Sequence, residues 1–194
     1  MIHDDYDDEN DTDIAKKGRV VELVNASGQT FGAVCIDSSI KSDIAMLQIP
    51  TQVLEVISLG SIQLAERGAD IDGTQIFALG NPCDLDLEAR TKEEALRKNG
   101  YFPFHVSEGK LERKITSTQA KKMGLGTQIH SAWTYWGHSG CPLVALMTGE
   151  SGNDNTVYIV GLHNSWDDQN GNRHGVSLDE LLLFCRHKVY ALYF

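Results

Sequence analysis

The chain has 194 residues, 41% hydrophobic and 23% charged, enough for one large domain or two small ones with a real core. Its formal net charge of −10 argues against general nucleic-acid binding, which needs clustered Lys and Arg. No apolar run reaches the ~18 residues of a membrane span, and no basic stretch leads into an apolar one at the start, so neither a membrane segment nor a signal peptide is expected. A cytoplasmic, reducing compartment fits the four cysteines, Cys35, Cys83, Cys141 and Cys185, which stand far apart without Cys-x-x-Cys spacing. That spacing predicts buried thiols and no zinc site, and leaves a disulfide open.

Residues 1–17 are dominated by acid, from Asp4 to Asp13. Such a run repels itself and predicts a solvated segment. It lacks the central Gly and closing Glu of a calcium loop, so no metal and no cofactor is expected. Val20-Val21-Glu22-Leu23-Val24 and Thr30-Phe31-Gly32-Ala33-Val34-Cys35-Ile36 read as the two strands of a hairpin around the turn Asn25-Ala26-Ser27-Gly28. Residues 37–41 read as a polar loop. Asp43 then leads the apolar strand Ile44-Ala45-Met46-Leu47-Gln48-Ile49. An Asp there either caps a turn or sits at the mouth of a buried strand, where it needs a partner.

A polar connector follows Pro50, and Thr74–Pro82 reads as a strand ending in the sharp turn Gly80-Asn81-Pro82. Thr91–Gly100 has a helical start in Thr91 and Glu94 and a stop in Gly100. Strand character returns at Phe104–Leu111, Thr127–Ala132, Leu143–Leu146, Val157–His163 and His174–Ser177, with residues 164–172 as a polar loop. Ser177 and Glu180 form a capping box for a terminal helix. Many short strands, Gly-rich turns and one closing helix predict an all-β barrel fold.

One stretch carries chemistry: Trp136-Gly137-His138-Ser139-Gly140-Cys141-Pro142. A Ser between glycines suits a nucleophile. Gly137 lets the backbone turn so that its N–H faces a developing oxyanion, and the N–H of Ser139 is the second donor. A nucleophilic Ser also needs a base, and the base needs an orienting carboxylate.

Taken together, the motifs resemble the chymotrypsin-fold serine peptidases, in particular the Deg-type and glutamyl-endopeptidase-like branch. The resemblance runs from about Val20 to Val189. It rests on Ser42-Asp43-Ile44-Ala45-Met46-Leu47, on Leu79-Gly80-Asn81-Pro82, on the serine loop with His138 and Cys141 as departures, and on Ile159–His163 followed by Asn172–Val176. It implies an all-β double β-barrel with an incomplete first barrel and a C-terminal helix. The implied divisions are residues 1–17 as the acidic segment, 18–67 as the first barrel and 68–194 as the second. The active site would lie between the barrels, with a polypeptide substrate and neither nucleic acid nor membrane as partner. Asp43 would be the orienting carboxylate, Ser139 the nucleophile, and Gly137 with Ser139 the oxyanion hole. Thr134 and His163 stand where glutamyl endopeptidases recognise an acidic P1 side chain.

The base has no counterpart. The family carries it in a small-residue-His-Val segment upstream of the Asp, and the only His before Asp43 is His3. The resemblance thus implies that the opening strands and the base lie outside this sequence. The alternative is a peptidase-like module that binds extended peptides without hydrolysis. A cysteine-nucleophile variant of the fold fits less well, because Cys141 lies two residues beyond Ser139.

Overall fold

The computed structural model describes residues 16–25, 27–57, 60–66, 72–83, 104–115, 118, 126–148, 155–167 and 170–189. The expected helix Thr91–Gly100, the acidic run up to Asp13 and His3 lie outside them. The chain divides into two compact units, Met1–Ser61 and Ile62–Phe194.

The first unit is an antiparallel sheet in the order β1 (Val20–Val24), β2 (Thr30–Ser39), β3 (Ile44–Gln48). The β1–β2 hairpin runs in register from Val20↔Val34 to Val24↔Thr30. Its turn is held by the Asn25 side-chain oxygen, which accepts from the N–H groups of Ser27 and Gln29, each at 3.0 Å. Residues 37–39 are strand rather than the expected loop. They pair with Met46, Ala45 and Ile44 across a bulge between Cys35 and Asp37, so ladder hydrogen bonds override the polar sequence. A 3-10 turn, Ile40–Ser42, follows and closes on Asp43. A short helix α1 (Thr51–Val56) follows Pro50. It was not expected: six residues are too few to show a helical period, and Pro50 supplies no side-chain cap.

The second unit contains β4 (Gln63–Leu64), β5 (Gln75–Gly80), β6 (His105–Lys114), β7 (Gln128–His130), β8 (Pro142–Thr148), β9 (Asn155–Asp167) and β10 (Asn172–Ser177). Six of these close a barrel in the order β10-β7-β6-β5-β8-β9, sealed by pairing of β9 with β10, while β4 runs parallel to β9. Closure removes the exposed edges of an open sheet. Residues 164–167 extend β9 instead of forming part of a loop, and Ser165, Trp166 and Asp167 pair with β10 across a register shift.

The barrel core contains Ile76, Ala78, Leu111, Ala132, Leu143, Ala145 and Val160, all at 0–2% exposure together with Leu178. A fully buried Leu such as Leu143 contributes about 1.5–3 kcal/mol. On β5 the buried positions alternate as Ile76, Ala78 and Gly80. That inward row ends in a residue without a side chain, which leaves room under the serine loop. Helix α2 (Leu178–Val189) buries Leu178 and Leu181. Its start is held by Ser177 Oγ, which accepts the Glu180 N–H at 3.4 Å, and by Thr127 Oγ1, which donates to the Glu180 carboxylate at 2.6 Å. The all-β chymotrypsin-like class with a C-terminal helix thus holds. Among the described residues no helix is long and apolar enough to cross a membrane.

Candidate active site

The serine loop leaves β7 and enters β8. At its start Ser107 Oγ donates to the Trp133 carbonyl at 2.5 Å, and the Trp133 ring stacks on Tyr135 at 6.0 Å and 3°. The chain then turns tightly. The His138 N–H donates to the Tyr135 carbonyl at 3.0 Å, and the Cys141 N–H to the His138 carbonyl at 2.8 Å. Gly137 at φ 96° and Gly140 at φ 81° occupy the left-handed region on either side of the turn. Ser139 lies exposed between them. The loop's exit is joined to β9: the Gly140 N–H donates to the His163 carbonyl at 2.7 Å, and the His163 N–H to the Cys141 carbonyl at 2.9 Å.

The end of β5 supports this loop from below. The Cys83 N–H donates to the Trp136 carbonyl at 2.7 Å. A Cβ on Gly137 would lie 2.8 Å from the Cys83 nitrogen and 3.1 Å from the Pro82 carbonyl carbon. The Gly-Asn-Pro turn and the oxyanion-loop glycine therefore pack backbone against backbone. His138 points away from Ser139's exposed face and is fully buried. Its Nδ1 lies 3.1 Å from both the N–H and the carbonyl of Tyr135. Its ring meets His105 and Trp133 edge to face, at 5.7 and 5.6 Å. Burial lowers its pKa. This is a loop-fixing group.

His163 is 4% exposed, and its Nδ1 lies 3.1 Å from His130 Nε2. Burial, above all, holds both rings neutral. The pKa of His130 is lowered to about 3 and that of His163 to about 4. Neighbouring His138, Arg173 and His174 depress His163 further, against an opposing pull from the His174 backbone. In a neutral pair one nitrogen donates and the other accepts. Arg173 on β10 stands opposite His130 on β7 in the ladder. Cys141 is buried and its thiol is pushed up to about 12 by desolvation, which removes it as a nucleophile at neutral pH. All four cysteines are free thiols.

Of the residues singled out from sequence, Gly137, Ser139, Thr134 and His163 all lie in the second unit. The first two share the turn, Thr134 is half-buried in the same loop, and His163 is hydrogen-bonded to it through the backbone. Asp43 belongs to the first unit. It is exposed, lies in the left-handed region at φ 51°, and donates its N–H to the Ile40 carbonyl at 3.2 Å. The turn-capping reading describes its backbone, since Asp tolerates this conformation better than most residues. His130 and Arg173 were not singled out: His130 sits in no motif, Arg173 lies within Asn172–Val176 with no role assigned to it, and only the strand order brings them to His163.

A family profile described as the trypsin-like peptidase domain matches residues 4–151, most of the chain, including the Asp43 segment and the whole serine loop. No curated protein matches the chain. With the closed barrel, the Ser139 turn and this match, the chain belongs to the trypsin-like peptidase domain family.

Proposed function

We propose that the protein is a serine endopeptidase acting through an acyl-enzyme on Ser139. The observation that carries this reading is the turn itself. An exposed Ser is flanked by two left-handed glycines, in a loop fixed from below by His138 and joined to β9 at His163. In this reading Ser139 Oγ attacks the peptide carbonyl and loses its proton to a base. The N–H groups of Gly137 and Ser139 receive the oxyanion, and the amine leaves with that proton. Asp43 is assigned as the carboxylate that orients the base.

Thr134 and His163 are assigned to the P1 side chain, and their chemistry suits a carboxylate. A hydroxyl and a ring N–H are hydrogen-bond donors, and the buried surroundings of His163 strengthen such bonds.

Five histidines, His105, His130, His138, His163 and His174, are not assigned as base. His130 and His163 face each other, His138 and His105 pack with Trp133, and His174 Nδ1 lies 3.2 Å from the Gly126 carbonyl. This favours a second reading, in which the same barrel binds extended peptides without cleaving them. A fluorophosphonate probe separates the two. Labelling mapped to Ser139 supports the peptidase, and a folded chain that takes no label supports the binding module.

A further inference from the structure

The N–H groups of Gly137 and Ser139 are aimed by different parts of the barrel. A trans peptide is planar, and its C=O and N–H point in opposite directions, so holding one aims the other. The His138–Ser139 peptide has its carbonyl held by the Cys141 N–H at 2.8 Å. A bond inside the loop therefore aims the Ser139 N–H. The Trp136–Gly137 peptide has its carbonyl held by the Cys83 N–H at 2.7 Å, from the turn that follows β5. The Gly137 N–H accordingly points away from that turn.

Gly137 cannot fix this orientation by itself. Turning the Trp136–Gly137 peptide over would carry Gly137 from φ 96° to the negative side, and a glycine tolerates both. The peptides around it are fixed separately. The Tyr135 carbonyl accepts the His138 N–H at 3.0 Å, and the Gly140 N–H donates to the His163 carbonyl at 2.7 Å. Neither bond involves the Trp136 carbonyl or the Gly137 N–H. In the turned-over peptide the Gly137 N–H would face the Cys83 N–H, donor against donor, and the Cys83–Trp136 bond would be lost. Pro82 has no N–H, so this turn makes its bond to the loop through Cys83. The backbones are also in close contact: a Cβ on Gly137 would lie 2.8 Å from the Cys83 nitrogen and 3.1 Å from the Pro82 carbonyl carbon.

We propose that Cys83 is a positioning residue for the reaction at Ser139, its backbone N–H holding the Trp136–Gly137 peptide in the orientation that presents the Gly137 N–H to the oxyanion. The proposal rests on the reading of Gly137 and Ser139 as the oxyanion hole. Cys83 acts through Gly137, and its thiol has no part in the effect.

The test removes that N–H while leaving the side chain alone. Cys83→Ala keeps the N–H. Lactic acid at position 83, the ester counterpart of Cys83→Ala, puts an oxygen in its place, which repels the Trp136 carbonyl and accepts from a turned-over Gly137 N–H. Each full chain is acylated with p-nitrophenyl acetate: the acyl carbon bonds to Ser139 Oγ, p-nitrophenolate leaves, and the hydroxyl proton passes to the base. Cys83→Ala should acylate within about twofold of the wild type. The ester chain should lose at least about tenfold in the acylation rate constant, short of the roughly 100- to 1000-fold for a donor removed outright, with the half-saturating concentration unchanged. A folded ester chain as fast as Cys83→Ala overturns the proposal, as does a loss confined to the half-saturating concentration. If the ester chain gives no cooperative melting curve, NMR of the wild type decides. Scalar coupling between the Cys83 nitrogen and the Trp136 carbonyl carbon should persist after a fluorophosphonate has modified Ser139, and its absence from that adduct overturns the proposal. A wild type that takes no acyl group brings down the serine reading and the Cys83 role with it; an acylated wild type beside an equally fast ester chain brings down the Cys83 role alone.

Discussion

His138 occupies the space that Gly80 leaves at the end of β5. A Cβ on Gly80 would lie 2.7 Å from both Cγ and Nε2 of the His138 ring, and closer still to Cδ2. The ring cannot swing aside freely, because its Nδ1 is held at Tyr135 and its faces and edges meet His105 and Trp133. The serine loop is thus packed onto a glycine of the barrel.

Gly80→Ala should accordingly do two things at once. Overpacking of this kind costs about 1–3 kcal/mol, and each kcal/mol lowers Tm by roughly 2–4 °C in a chain of this size. Displacing His138 should also disturb the Gly137 turn and slow labelling of Ser139. A melting curve and a labelling time course on the same sample read both. Unchanged values in both would show that His138 does not hold the loop.

Gly137→Ala meets a different obstacle. Its φ of 96° is strained for any side chain, and the added Cβ would fall 2.8 Å from the Cys83 nitrogen, which is backbone and cannot rotate away. Loss of one oxyanion donor costs on the order of 100- to 1000-fold in kcat. We expect that loss at Ser139, measured as the rate of acylation. A folded Gly137→Ala variant with a normal rate would remove Gly137 from the oxyanion hole.

Cys141 should be inert. With its thiol raised to about 12 by burial, it carries almost no thiolate at pH ~8. Iodoacetamide should leave it unmodified in the folded chain, and Cys141→Ala should keep Ser139 labelling within about twofold, because only a small buried side chain is lost. Loss of labelling in a folded Cys141→Ala variant would reopen a cysteine-based chemistry.

Stability should fall on acidification through the His130–His163 pair. Both pKa values are depressed in the folded state, from an ordinary 6.5 to about 3 and about 4. The neutral rings therefore favour folding fully above pH 6.5, and that contribution is lost as pH falls from 6.5 towards 4 and then 3, where the unfolded chain takes up protons that the folded chain does not. The groups acting on the pair are Arg173, His174 and His138. Denaturant midpoints measured from pH 7.5 down to about 4 should decline, and less steeply in His130→Gln. A flat profile would contradict the neutral pair.

Asp43→Asn separates backbone from charge. Asn accepts the left-handed conformation as readily as Asp, so the turn at φ 51° should persist and Tm should hardly change. If Asp43 orients the base, kcat should fall by about four orders of magnitude with the fold intact. Full activity would confine Asp43 to its turn.

The legible parts of this molecule are those where local chemistry and tertiary contacts agree. The hairpin Val20–Val24 to Thr30–Ile36 alternates and is bracketed by an Asn-x-Ser-Gly turn, so its ends were visible. The serine loop was visible because its glycines are needed at fixed places in the turn. Residues 37–39 and 164–167 misled because polar side chains there sit on strands held by partners elsewhere in the chain. The His130–His163 contact joins residues 33 apart on non-consecutive strands, and no local pattern encodes that. Gly80 looked like a turn residue; its role as a seat for His138 depends on β5 alternation and on the loop folding back over it.

The central claim is that Ser139 becomes acylated. The most direct measurement is intact-mass spectrometry of the chain after brief incubation with an activated ester and acid quench, beside Ser139→Ala. The account predicts a single acyl adduct on the wild type, mapped to Ser139, and none on the variant. A folded wild type without an adduct, or an adduct that persists in Ser139→Ala, would contradict it.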